Sequence, residues 1–162
     1  MDIQIADKQR VARVSKLWLR RLVAEFMTPV GRMTIGRRWR SVSIVLAEDR
    51  LAERLGRRYF SRSGTTDVIS FRYPSHSAED RVCDGEVIVN VQRAVAEGLR
   101  RLGVARELAL YVAHGCDHLT GATDDTPQQR QRMRRRELRW LRRAAASGLL
   151  QDSMIRRHRT HR

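Results

Sequence analysis

Ala113-His114-Gly115-Cys116-Asp117-His118-Leu119-Thr120-Gly121-Ala122-Thr123-Asp124-Asp125 joins a helical pattern to a turn bearing carboxylates. His114 and His118 stand four apart, so a helix projects both imidazoles from one face. Two ring nitrogens at that spacing suit a single Zn²⁺. Gly121 follows within a turn, where a left-handed residue can end a helix and send the chain back. Asp124, six residues past His118, can then reach the same ion as a third, oxygen ligand. Two histidines and a carboxylate leave one coordination position open, the pattern of a catalytic zinc site rather than a structural one. In the zinc-peptidase motif HExxH a glutamate general base follows the first histidine. Here that position is Gly115, which argues against a peptidase.

The metal-bearing helix, expected over Glu107–Leu119, sits late in an alternating pattern of strands and helices. Upstream of it the β-branched run Ser41–Ala47 reads as a buried strand, and Thr66–Phe71 and Gly85–Asn90 as two more. Asp2–Ile5 alternates polar and apolar residues as a short fourth strand. Helices are expected over Gln9–Phe26, ended by Pro29 and Gly31, over Asp49–Tyr59, and over Gln92–Leu102 with Gly103 as its stop. A last, very basic helix runs over Pro127–Ala146, and Gln151–Arg162 reads as a frayed end. The order β-α-β-α-β-β-α-α-α implies an α/β (α+β) fold: a single layered domain over residues 1–146 and a basic, flexible tail over 147–162. One roughly four-stranded mixed sheet packs with helices, one of them a zincin-like metal helix.

Composition sets the partners. The chain has 162 residues, 33 Lys+Arg against 18 Asp+Glu, a net charge of +15, and 41% hydrophobic residues, enough for a core. Only Lys8 and Lys16 are lysines; every other cation is arginine, whose planar fork matches phosphate oxygens. Such an excess favours nucleic acid. Nothing suggests a signal peptide, a membrane span or a disulfide framework, since Cys83 and Cys116 form no CxxC pair. The expected setting is cytoplasmic, with no membrane partner and no small organic cofactor.

The Ala113–Asp125 stretch resembles the signature H-G-x-L-H-L-x-G-Y-D-H of the YbeY family of rRNA maturation factors and endoribonucleases. His114, Gly115, His118, Leu119 and Gly121 match it in spacing. Thr66–Phe71 is similar to the family's P-T-D/N-V-L-S-F-P strand and Gly85–Val89 to its G-D/E-I-x-I strand. Met133 and Glu137 fall on its M-x-x-x-E. The resemblance covers about Asp2–Leu141. It implies a zinc-dependent endoribonuclease for single-stranded RNA, acting in rRNA maturation (16S rRNA 3′ end processing) and in ribosome assembly or quality control. Partners would be rRNA and ribosomal particles. The alternative is a non-catalytic, zinc-containing assembly or RNA-binding factor.

The departures are specific. The family's third histidine corresponds to Asp124, its Tyr-Asp to Ala122-Thr123, and its leucine between the histidines to Asp117. Asp125 competes with Asp124 as the third ligand. The family's arginine falls on Phe60, beside Tyr59 and among Arg57, Arg58 and Arg62. Those arginines, with Arg72 as a further candidate, are expected to stabilise charge on the phosphoryl oxygens, and Arg58, Arg62 and Asp117 are the catalytic candidates. Asp117, one turn from His114, could orient a ligand or accept a proton; equally it could be a surface residue that caps the helix or pairs with an arginine. His76, His158 and His161 read as exposed. The helix Arg130–Arg143 docks through Met133, Trp140 and Leu141, leaving its arginines as a backbone track for RNA without base-specific readout.

Overall fold

The computed structural model describes residues 1–34, 36–61, 63–74, 81–101 and 103–157. Arg62, His76, His158 and His161 lie outside them. Four strands form the main sheet: β1 (Asp2–Asp7), β3 (Arg38–Ala47), β4 (Val68–Pro74) and β5 (Val82–Asn90), in the order β1-β3-β5-β4. The β1–β3 and β3–β5 pairs are parallel and β4–β5 is antiparallel, which makes the mixed sheet expected from sequence. Two short strands, β2 (Ala12–Val14) and β6 (Ile155–Arg157), form a separate antiparallel pair.

Helices α1 (Lys16–Met33), α3 (Val91–Arg100), α4 (Val104–Leu119) and α5 (Pro127–Ala146) share the main core, and α4 packs directly on β4 and β5. The helix α2 (Asp49–Phe60) lies against the opposite face of the sheet, over a small cluster of Ala47, Ile69 and Ile88. Alternation along β4 divides its side chains between these layers. Val68 and Ser70 lie beneath α4, whereas Phe71 packs beside Ile69 on the α2 side.

Several boundaries differ from the sequence reading by a few residues, β3, β5 and α4 each starting three residues earlier and β4 running over Val68–Pro74, and three differences change the character of a segment. Residues 9–15 are not helical, because the Gln9 side chain accepts from the Val11 and Ala12 amides and donates to the Ala12 carbonyl. Ser15 then caps α1 by accepting from the Trp18 amide. Pro29 does not end α1; burial of Val30 and the Thr34 hydroxyl bond to the Val30 carbonyl carry the helix to Met33. Fraying from Gln151 is not seen as far as Arg157. There β6 pairs with β2, the Ser15 amide donates to the Met154 carbonyl, and Ile155 is 8% exposed.

Candidate metal centre

The most buried helix carries the histidines. Of α4, Ala105, Leu108, Ala109, Val112, Ala113 and Cys116 are fully buried, so its backbone is fixed on all sides. Burial pushes the Cys116 thiol up to about 12, leaving it a small protonated core residue. Gly115 sets the depth at which the helix sits. A methyl group there would run into Val87 Cγ1 and stand 2.8 Å from Val68 Cγ2. The Ser70 hydroxyl donates to the Gly115 carbonyl at 3.0 Å. A glutamate at this position would be driven into the sheet, which is the physical reason the peptidase arrangement is closed to this chain.

The helix ends at Leu119, and Gly121 adopts φ 91°, the left-handed turn that returns the chain over the histidines. His118 Nε2 and His114 Nε2 lie 3.2 Å apart, and Asp124 Oδ2 is 3.9 Å from His114 Nε2. Ligand atoms of all three residues fall within 4.8 Å of one another. Asp124 is half-buried and Asp125 exposed, so Asp124 is the carboxylate brought to the histidines. Each imidazole is held by its other nitrogen: His114 Nδ1 lies 2.6 Å from Glu137 Oε1 on α5, and His118 Nδ1 lies 2.9 Å from the Ala122 carbonyl. This is the outer support that aims Nε2 at a metal. Burial opposes a charge on His114, but the Glu137 hydrogen bond and charge outweigh it and hold the imidazole above its ordinary range.

Helix α5 completes the site from the side. Arg130 donates to the Asp124 and Asp125 carbonyls at 2.8 and 3.1 Å, tying down the turn that carries Asp124. Asp117 is turned away from the cluster. Its fully buried carboxylate accepts from Arg136 Nε at 3.0 Å, so it takes the arginine-pairing role and not a place among the converging ligands. One residue before His118 is a rotation of about 100° on a helix, which aims Asp117 at α5. Burial raises the Asp117 carboxyl, against the lowering effect of Arg136.

The cluster opens into a cleft of about 310 Å³ walled by Phe60, Asp67, Ser70, Gly121 and Ala122. None of its described walls is an arginine or lysine. Arg58 is exposed, its guanidinium 5.4 Å from the Tyr59 ring centre, and Arg72 donates to the Leu119 carbonyl behind Gly121. Arg130, Arg136 and Asp67 were not legible as site residues. Glu137 was visible only as a motif position, because α5 crosses α4 at a place that spacing does not reveal.

The sequence model of the family described as Endoribonuclease YbeY matches residues 4–145. The chain belongs to this family. Curated YbeY endoribonucleases from Rhodopirellula baltica and Anaeromyxobacter sp. are similar to it. The first is 33% identical over 101 residues, covering 60% of this chain and 50% of the relative. The second is 28% identical over 138 residues, covering 85% of this chain and 69% of the relative. The chain thus spans half the length of the first of these YbeY proteins. The solution structure of TM1509 from Thermotoga maritima shares the fold, with a TM-score of 0.55 and 20% identity over 90% of this chain and 91% of that one. Among the described residues no helix is long and apolar enough to cross a membrane.

Proposed function

We propose that this chain is a zinc-dependent endoribonuclease of single-stranded RNA. It would act in the cytoplasm on rRNA, including the 3′ end of 16S rRNA, and on ribosomal particles during assembly or quality control. The observation that carries this reading is the turning of both Nε2 atoms and the Asp124 carboxylate toward one point, within a member of the YbeY family. The donor set fits Zn²⁺: two imidazole nitrogens and one carboxylate oxygen, with both Nδ1 atoms engaged elsewhere. His114, His118 and Asp124 would hold the ion, which when bound supplies Lewis-acid polarisation of a phosphoryl oxygen or activation of water.

The chain's own residues do the rest. Glu137 and the Ala122 carbonyl fix the two rings, and Arg130 fixes the backbone beneath Asp124. In this reading Arg58, Arg62 and Arg72 would lend positive charge to the phosphodiester from outside the described walls of the cleft as its oxygens become more negative. On α5, Arg132, Arg135, Arg139 and Arg142 are exposed and form a track for the RNA backbone.

The test is cleavage of a single-stranded rRNA fragment by nuclease-free protein, beside His114→Ala purified identically and a chelated sample. Loss of cleavage in both controls is expected. Cleavage that survives in His114→Ala would overturn the assignment. Phe60, in a cleft whose described walls carry no cation, favours a second reading, the non-catalytic assembly factor. RNA binding without cleavage by the parent protein would select it.

A further inference from the structure

The α2 side of the sheet carries a second, larger concavity of about 840 Å³. Its floor is the outer face of β3, β4 and β5, including Val45, Phe71, Tyr73 and Ile88, and its wall is α2. At its edge the aromatic rings form a connected ridge. Tyr73 stacks on Phe71 with centroids 6.3 Å apart and planes 24° from parallel. Phe60 stacks on the same Phe71 at 5.8 Å and 27°, and Tyr59 meets it edge-on at 5.1 Å. Phe60 also walls the metal cleft, so the ridge runs continuously from the metal site onto the open sheet face.

These rings are far from satisfied by the fold. Tyr59, Phe60 and Tyr73 are 54%, 45% and 49% exposed. A cluster of half-exposed rings marks a surface awaiting a partner, unlike a scatter of single ones. The charge around it says which kind. Lys8, Arg50 and Arg54 line the groove, and none makes an ion pair among the described residues. The two acids there are engaged: Glu86 accepts from the Tyr73 hydroxyl at 3.2 Å, and Glu48 from the Arg10 amide. Aromatic faces beside unpaired cations are what a single-stranded polynucleotide needs, since bases stack on rings while phosphates meet arginine.

We infer that the Phe60–Phe71–Tyr73 ridge, with Tyr59, is a base-stacking platform that holds single-stranded RNA on the outer sheet face as the strand leaves the metal cleft. The inference rests on the RNA reading above and adds a location and a mode of contact. Stacking uses the π-face that every base has, so the platform binds without sequence preference. It also gives Phe60 a role in place of a cation: the ring turns the strand out of the cleft.

The experiment measures binding of a cleavage-resistant 2′-O-methyl oligonucleotide and of the same strand with abasic residues, at fixed salt, to the full chain. The variants are Tyr59→Leu, Tyr73→Leu and both together, with Tyr59→Phe/Tyr73→Phe as the ring-retaining control. All are checked for an unchanged melting midpoint. Leucine keeps apolar contact with Phe71 and removes the π-face. The double leucine variant should lose about tenfold or more in affinity for the base-bearing strand. Affinity for the abasic strand should not move, and the phenylalanine control should bind like the parent. Parent-like binding by the leucine variant would overturn the platform while leaving the RNA reading intact, and would point to a protein partner for this face. An equal loss on both strands would overturn it too, by showing that the variants disturb charge and not stacking. No binding of either strand by the parent would remove the RNA reading and the platform together.

Discussion

Gly115→Ala tests whether close approach of α4 to the sheet builds the site. The added methyl would overlap Val87 Cγ1 and stand 2.8 Å from Val68 Cγ2, against an ordinary carbon separation of about 3.5–4.0 Å. Val87 is fully buried and Val68 is 9% exposed, and both are β-branched and stiff at χ1. The helix must therefore lift by about 1 Å, a displacement read from that shortfall. Overpacking of this kind costs about 1–3 kcal/mol, and stretching the Ser70–Gly115 hydrogen bond costs about 1 more. Alanine's better helix propensity returns about 1 kcal/mol. The net is near 2 kcal/mol of lost stability, or a melting midpoint lower by about 4–8 °C for a chain of this size. Because Asp124 is anchored to α5 through Arg130 and does not lift with α4, zinc affinity should fall at least about tenfold, the effect of misplacing one ligand's support. Calorimetry and zinc competition against a chromophoric chelator measure the two effects, and Val87→Ala in the same chain should recover part of both. A Gly115→Ala protein as stable as the parent, with parental zinc affinity, would refute the reasoning.

The other predictions concern groups that hold the ligands. Glu137→Gln keeps the shape but not the charge behind His114, and zinc affinity in the same competition assay should drop about 10- to 100-fold; an unchanged value would show that Glu137 does not aim the ring. Arg136→Met strands the buried Asp117 carboxylate and should cost about 3 kcal/mol in urea unfolding, with Asp117→Asn in the same chain restoring much of it. If the single variant unfolds like the parent, the pair is not what joins α4 to α5. In metal-free protein the raised His114 pKa means that the folded state favours the protonated ring. Its contribution is complete below about pH 6.5, the unfolded value, and disappears as pH rises through the raised folded value. Urea unfolding of EDTA-treated protein across that window should show this decline, and Glu137→Gln should flatten it. Superimposable profiles would contradict the coupling.

Local pattern revealed the four strands of the main sheet, the helix order and the pair of histidines, because each is written in nearest-neighbour chemistry: β-branched runs, apolar periodicity, and an i, i+4 spacing; the short β2–β6 pair was not read. What it missed depends on contacts between distant residues. Gln9 satisfies its own local backbone and so diverts residues 9–15 from the helix their apolar spacing suggests. Val30 is held by the core strongly enough for α1 to tolerate Pro29. Pairing with an arginine was one of two readings of Asp117, but on the surface; its rotation on α4 instead buries it against Arg136, nineteen residues on. The family's arginine position, occupied by Phe60, was legible as a departure. Its stacking on Phe71 became visible only when α2 was laid across β4.

Edge strand β4 supplies both faces of the sheet at alternate positions. Val68, Ser70 and Arg72 meet α4 and its terminal turn, while Ile69, Phe71 and Tyr73 face α2 and the outer groove. Point substitutions can therefore retune one face and leave the other alone, so the histidine cluster and the outer aromatic face can change independently. Length changes have no such freedom. One residue inserted or deleted before Ile69 would exchange the two sets, putting aromatic rings under the metal helix and a serine on the outer face. Natural variation along this strand should consequently accumulate as substitutions at constant length, with insertions confined to the connections beyond its ends.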